Sequence, residues 1–297
     1  MKFILPLHTL FIFVAVLGLT LPSMVSKAGS PTSHQLCAGI IEPNNMQIPS
    51  TRETGITFDQ YNQVLDRIFA LYSEEIKALG GNLIIKREWD NPAVNAMATH
   101  VGGEWALHMY GGMARYPIMT ADAFAVVTCH EMGHHMGGAP LKPRSTWASL
   151  EGQADYYATL KCLRRFFALD DNQTISASPN VTPFIRGACE KEFSDVTDQQ
   201  ICMRSSVASI VMAEIFKEMR KETTKILDIT KPNPKKVWFM DIAHPETQCR
   251  LDTYFNGAIC NAPLLSELSY VSYKPGTCDR TKEFGIGSRP RCWFRPF

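Results

Sequence analysis

His130-Glu131-Met132-Gly133-His134 is the stretch that most restricts what this chain can become. On a helix, residues four apart share a face, so His130 and His134 can aim their imidazoles at one ion while Glu131 lies one step round beside them. Glu151 and Asp155 repeat the four-residue spacing a short distance downstream. Two imidazoles and three carboxylates are costly to bury together without a cation, so the pattern favours a metal site over a metal-free pair of polar helices.

A hydrolytic zinc ion takes three protein ligands and leaves one position for water, whose pKa falls to about 7. His130 and His134 supply two ligands. Glu151, on the following helix of an antiparallel helical hairpin, is the expected third, and one Zn2+ per chain is the expected cofactor. Asp155, one turn on, is placed to accept a hydrogen bond from the outer nitrogen of a ligand histidine. Glu131 is the expected general base. His135 lies about 100° round the helix from His134 and reads as a neighbour rather than a ligand. His100 and His108 fall in a strand region and read as packed or exposed side chains, and His34 has no metal-ligand spacing. His244, which opens a helix with Pro245 after a long loop, could be held over the metal to hydrogen-bond a developing oxyanion.

The first residues bear on the compartment. Lys2 precedes an apolar run from Phe3 to about Leu21, and Ser26-Lys27-Ala28 offers small residues for cleavage, so residues 1–28 read as a secretory signal. Pro6, His8 and Thr9 weaken the alternative of an uncleaved anchor. No later segment approaches a spanning length and no basic block argues for nucleic acid, so neither a stable membrane span after cleavage nor a nucleic-acid partner is expected. All nine cysteines follow the signal, which in a periplasmic or extracellular setting favours disulfides. Close spacing favours Cys249 with Cys260 and Cys278 with Cys292. Cys129, inside an apolar helical run, is the expected free thiol, and Cys37, Cys162, Cys189 and Cys202 stay unassigned.

Residues 29–56 are an irregular lead-in. Thr57-Phe58-Asp59-Gln60 is a capping box, and Tyr61, Leu65, Ile68, Tyr72, Ile76 and Leu79 recur at helical spacing up to Gly80-Gly81. Residues 82–89, and residues 104–110 reached from Asn95 through Gly102-Gly103, suit a small antiparallel sheet whose edge could pair with an extended peptide. Thr120 caps the helix that carries the histidines, and Thr146 is read as the cap of the next, which carries Glu151. From Leu169 to Asp195 a polar stretch broken by Pro179 and Pro183 reads as a loop of lid-like length. A helix follows to about Lys221, and a second loop to Ala243 carries four lysines read as solvated. Residues 263–297 form a cysteine-bearing tail, expected to be stapled onto a domain at residues 57–262.

HEMGH at 130–134 and EGQAD at 151–155, preceded by NAMA at 95–98 and followed by AHPETQCRLDTY at 243–254, resemble in order the motifs of the HtpX and CAAX-prenyl-protease family of gluzincin metallopeptidases. The resemblance covers roughly residues 58–258. It implies an α+β fold, with a mainly helical thermolysin-like (minigluzincin) core and a small antiparallel sheet whose edge strand faces the active-site cleft. It also implies a zinc endopeptidase acting on extended or unfolded protein or peptide substrates, with His130, His134 and Glu151 on zinc, Glu131 as base and Asp155 behind the ligands. Asn95 and His244 match positions that bind substrate or transition state, Arg250 matches the arginine after His-Pro, and Trp105 and Leu107 lie on the strand expected to receive substrate. Ala243 stands where the family has Thr. The membrane helices of HtpX and the prenyl protease are absent, which points to the soluble envelope type and away from prenylated substrates. The alternative is an inactive envelope protein that keeps the fold for chaperone-like peptide or partner binding. Asn172-Gln173-Thr174 is a sequon that matters only in a eukaryotic secretory pathway.

Overall fold

The computed structural model describes residues 39–278 and 286–295; the signal segment, His34 and Cys37 lie outside them. Helix α1 (Phe58–Ala78) opens on a complete capping box, in which Thr57 Oγ1 accepts from the Gln60 N–H at 3.2 Å and Gln60 Oε1 from the Thr57 N–H at 3.0 Å. Tyr61, Leu65, Ile68, Tyr72 and Ile76 are buried along one stripe, whereas Leu79, past the last turn, is 58% exposed. The apolar face stops where the helix stops.

Strands β1 (Asn82–Glu88), β2 (Ala96–Val101) and β3 (Glu104–Tyr110) form a mixed sheet in the order β1-β3-β2, with β1 parallel and β2 antiparallel to β3. This corrects the expected all-antiparallel sheet with residues 104–110 at its edge. Gly102 and Gly103, both at positive φ (58° and 86°), fold β2 directly back onto β3 as a two-residue hairpin. Once β2 holds one flank of β3, β1 takes the other, so β3 is central and β2 is an edge.

A single turn, α2 (Gly111–Ala114), leads to α3 (Ala121–Met136), capped by Thr120 Oγ1 on the Ala123 N–H at 3.1 Å. Helix α3 is buried nearly all round, as a helix enclosed on every side must be. Helix α4 begins at Glu151 itself (Glu151–Tyr157), which corrects the start expected at Thr146. Residues 141–149 instead close a small hairpin through a Leu141–Ser149 bridge, with Ser145 Oγ accepting from the Ala148 N–H at 2.8 Å. Helix α4 continues through a π-helical turn (Ala158–Cys162) into α5 (Leu163–Phe167).

The stretch read as a lid contains a 3-10 turn and α6 (Pro183–Glu192), capped by Thr182 with Pro183 in its first turn. Val181, Ile185, Cys189 and Phe193 build a second small core with Cys202 and Met203 of α7 (Val196–Met219) and Phe255 of α8 (Thr247–Ala258), so this stretch is packed structure. The α1 helix, the sheet, α4 and α7 all pack on α3. Gly133 lets α4 come close: a Cβ there would lie 2.8 Å from the Ala154 carbonyl oxygen.

Four disulfides join Cys129–Cys162, Cys189–Cys202, Cys249–Cys292 and Cys260–Cys278. The expected Cys249–Cys260 and Cys278–Cys292 pairs are therefore wrong, and Cys129 is bonded. Cys249 and Cys260 stand at opposite ends of α8, about 16 Å apart at the rise of a helix. A disulfide needs Cα atoms roughly 4–7 Å apart; Cys249 and Cys292 are 5.9 Å apart. The Cys249–Cys292 and Cys260–Cys278 bonds tie residues of the tail to α8 and the residues just after it, and Trp293 is buried against Gly152 of α4. Among the described residues no helix is long and apolar enough to cross a membrane.

Candidate metal centre

His130 and His134 leave the last turns of α3 on the side where Gly133 admits α4, and α4 presents Glu151 as its first residue. One ligand atom from each of the three lies within 4.8 Å of the others, and among the described residues this is the one such group of His, Cys, Asp or Glu. Glu151 Oε2 lies 3.2 Å from His130 Nε2 and 3.6 Å from His134 Nε2. All three atoms are buried and none has a hydrogen-bond partner.

The outer nitrogens are committed elsewhere. His130 Nδ1–H donates to Asp155 Oδ1 at 2.6 Å, and His134 Nδ1–H donates to the Ser149 carbonyl at 2.9 Å. Each bond fixes the tautomer that leaves Nε2 as a lone pair towards Glu151. Asp155 is itself gripped by Arg250, whose Nε and Nη2 reach its two oxygens at 2.8 and 2.7 Å and whose guanidinium lies 3.8 Å over the Phe216 ring. Arg250 also donates to the Ile40 carbonyl and, at 3.1 Å, to the Tyr254 hydroxyl.

Burial and charge pull the site's protons apart. Burial works to raise the Asp155 pKa, but Arg250 and His130 hold it below the usual carboxylate range. Burial works against charge on His130, yet the Asp155 carboxylate outweighs it and lifts the imidazole to about 9. His134, with a carbonyl behind it instead of a carboxylate, is driven well below the ordinary histidine value by burial. Burial works upward on Glu151 too, but His134 and His130 hold it well below its usual range. Glu131, fully buried with neither oxygen partnered, is pushed up by burial to about 7.

Two residues come to the centre from far along the chain. His244 Nε2 lies 3.3 Å from Glu151 Oε2 and donates to the Gly39 carbonyl at 2.7 Å, with burial lowering its pKa. Lys142, which spacing did not single out, donates from Nζ to Glu151 Oε1 at 2.5 Å. It sits in a proline-bearing linker with no periodicity to flag it.

The residues read as substrate contacts are engaged within the fold. Asn95 is committed to the backbone, donating to the Ile41 carbonyl at 3.2 Å and accepting from the Ala96 N–H at 2.9 Å. Leu107 is wholly buried in the main core, and β3 has its backbone paired on both flanks, so neither it nor Trp105 lines an open edge. Trp105 stacks on His135, 5.4 Å between centroids, and Trp147 covers the other face of that ring at 4.9 Å. His135 Nε2–H donates to the Ala106 carbonyl at 3.3 Å, turning away from the ligands. His108 bonds Glu88 at 3.0 Å and Thr99 at 3.2 Å. The sequon amide of Asn172 is buried and donates to the Phe167 and Asp170 carbonyls.

No protein-family model matches this chain, and neither a curated protein nor a solved structure matches it.

Proposed function

We propose that this chain is a zinc-dependent endopeptidase of the gluzincin kind, exported and acting on extended or unfolded polypeptides. The observation that carries this reading is the set of buried, unpartnered atoms His130 Nε2, His134 Nε2 and Glu151 Oε2 beside a Glu131 carboxylate with both oxygens unpartnered. Orphaned polar atoms at this density are costly unless something binds them. Two imidazoles and a glutamate are the donor set that zinc takes in peptidase sites such as that of thermolysin. Bound zinc would supply a polarised carbonyl and an acidified water.

The chain's own residues supply the rest. Glu131, buried beside the ligands with both carboxylate oxygens unpartnered, is placed to accept a proton from the attacking water and return it to the leaving amine. Arg250 orients Asp155, Asp155 orients His130, and Ser149 orients His134, so both imidazoles are fixed before anything binds. His244 already holds a peptide carbonyl, that of Gly39, beside Glu151, which supports its reading as a donor to a developing oxyanion. With residues 104–110 paired on both flanks, the sheet edges that could receive an extended substrate are β1 and β2. Four disulfides support export.

The test is Glu131→Gln in the zinc-loaded full chain with casein as substrate. Zinc content should match wild type and cleavage should fall at least about 100-fold, the contribution of a positioned base. Full activity in the variant would overturn the mechanism. A zinc-replete wild type that binds casein without cutting it would favour the non-catalytic peptide binder.

A further inference from the structure

Glu151 has two carboxylate oxygens in unlike surroundings. Oε2 faces the three imidazoles, at 3.2, 3.6 and 3.3 Å from the Nε2 atoms of His130, His134 and His244, with no hydrogen-bond partner. Oε1 is held by Lys142 Nζ at 2.5 Å. We propose that Lys142 is a positioning residue for the metal, occupying the outer oxygen of Glu151 so that the inner one alone is presented as ligand. The proposal rests on the zinc reading above.

The lysine is built into place. Its N–H donates to the Ala148 carbonyl at 2.7 Å and its own carbonyl accepts from the Ser145 N–H at 3.0 Å, inside the hairpin closed by the Leu141–Ser149 bridge. Ser149 of that hairpin accepts from His134 Nδ1, and the Leu150 N–H donates to the Pro140 carbonyl at 2.9 Å, so one small loop fixes two of the three ligands from behind. The Lys142 side chain is only 16% exposed and that of Glu151 2%, which keeps the charge-assisted bond from being screened away.

Two effects of Lys142 on a bound cation oppose each other. Its charge repels the ion, so removing it would tighten binding if repulsion ruled. Its bond stops the carboxylate from turning, and outer partners of metal ligands are typically worth 10–100-fold in metal affinity. Removing it also strands Oε1 in a buried site without a donor. Both consequences of removal disfavour the ligand geometry, and we assign the larger effect to positioning.

The experiment measures zinc affinity of the full-length oxidised chain by competition with a chelator, for wild type, Lys142→Met, Lys142→Arg and Lys142→Gln. Lys142→Met should bind zinc 10–100-fold more weakly, and Lys142→Arg, which keeps a charged donor, should recover most of that loss. In the Co2+-loaded variant the visible d–d band should lose intensity as Glu151 turns to give both oxygens and coordination expands beyond four. Lys142→Gln keeps the series readable if the Met variant fails to fold, and matched metal-free melting temperatures establish that the variants fold alike. Zinc affinity in Lys142→Met, or in Lys142→Gln in its stead, equal to or tighter than wild type overturns the proposal. A wild type that takes up no zinc overturns the metal reading itself, a separate failure.

Discussion

Replacing Arg250 with Met tests the deepest electrostatic element of the centre. Arg250 and Asp155 are both fully buried and joined by two bonds of 2.8 and 2.7 Å. A pair at about 4 Å between charge centres is worth about 4 kcal/mol at an effective dielectric of 20. Breaking a buried pair from one side costs about 3–5 kcal/mol, because the surviving charge stays desolvated. Methionine keeps part of the packing against Phe216 but loses the cation over that ring, worth about 2 kcal/mol when desolvated. These terms overlap, and we expect Arg250→Met to lose about 4 kcal/mol, a large part of the roughly 5–15 kcal/mol that holds a protein folded. The assay is urea unfolding of the metal-free oxidised protein at pH 7, with coincident transitions by two probes. Adding Asp155→Asn should return much of the loss, since the stranded charge goes with it. The acid side gives a second reading. Asp155 has a lowered folded pKa, so its contribution is present above the unfolded value of about 3.9 and is lost as pH falls through the folded value. That acid slope should flatten in Arg250→Met. A loss below about 1 kcal/mol at pH 7, far under the cost of breaking a buried pair, would refute the reasoning.

Gly133→Ala sets helix propensity against crowding: Ala gains about 1 kcal/mol over Gly within a helix, but its Cβ would lie 2.8 and 2.9 Å from Ala154 backbone atoms. Overpacking costs about 1–3 kcal/mol, so crowding should win, lowering the melting temperature and weakening zinc binding as α4 moves. A stabilised variant with unchanged zinc affinity would show that the close approach is not needed. Asp252 is lifted to about 6 by burial, so the folded state holds its proton where the unfolded state has lost it, and stability should fall as pH rises from about 4 to above 6. The shift of about two units corresponds to about 3 kcal/mol. Asp252→Asn should remove that slope; a wild-type minus variant difference in urea midpoint that stays flat from pH 4.5 to 7.5 counts against it.

Much of the centre could be read from local spacing. His130 and His134 share a face whatever else the chain does, and the caps at Thr57 and Thr120 mark their helices because each joins residues three apart. Some signals were present and misread. Thr182-Pro183 opens α6, where a proline in the first turn is compatible with a helix, and Cys249 and Cys260 are separated by the length of the helix between them. Other features had no local trace. Arg250 meets Asp155 across 95 positions, and His244 meets Gly39 across 205.

What the sequence by itself determined was which side chains can act together on one helix: two imidazoles on one face of α3, a glutamate beside them, and a carboxylate pair four apart on α4. Only the tertiary structure decided that β3 is central, that the tail is tied to α8 through Cys249 and Cys292, and that Glu151 has one oxygen on Lys142 and the other towards the imidazoles. The physical reason is range. Helical periodicity and capping act over three or four residues, whereas strand order, disulfide partners and the second contact of a buried charge depend on which surfaces meet once the core has closed.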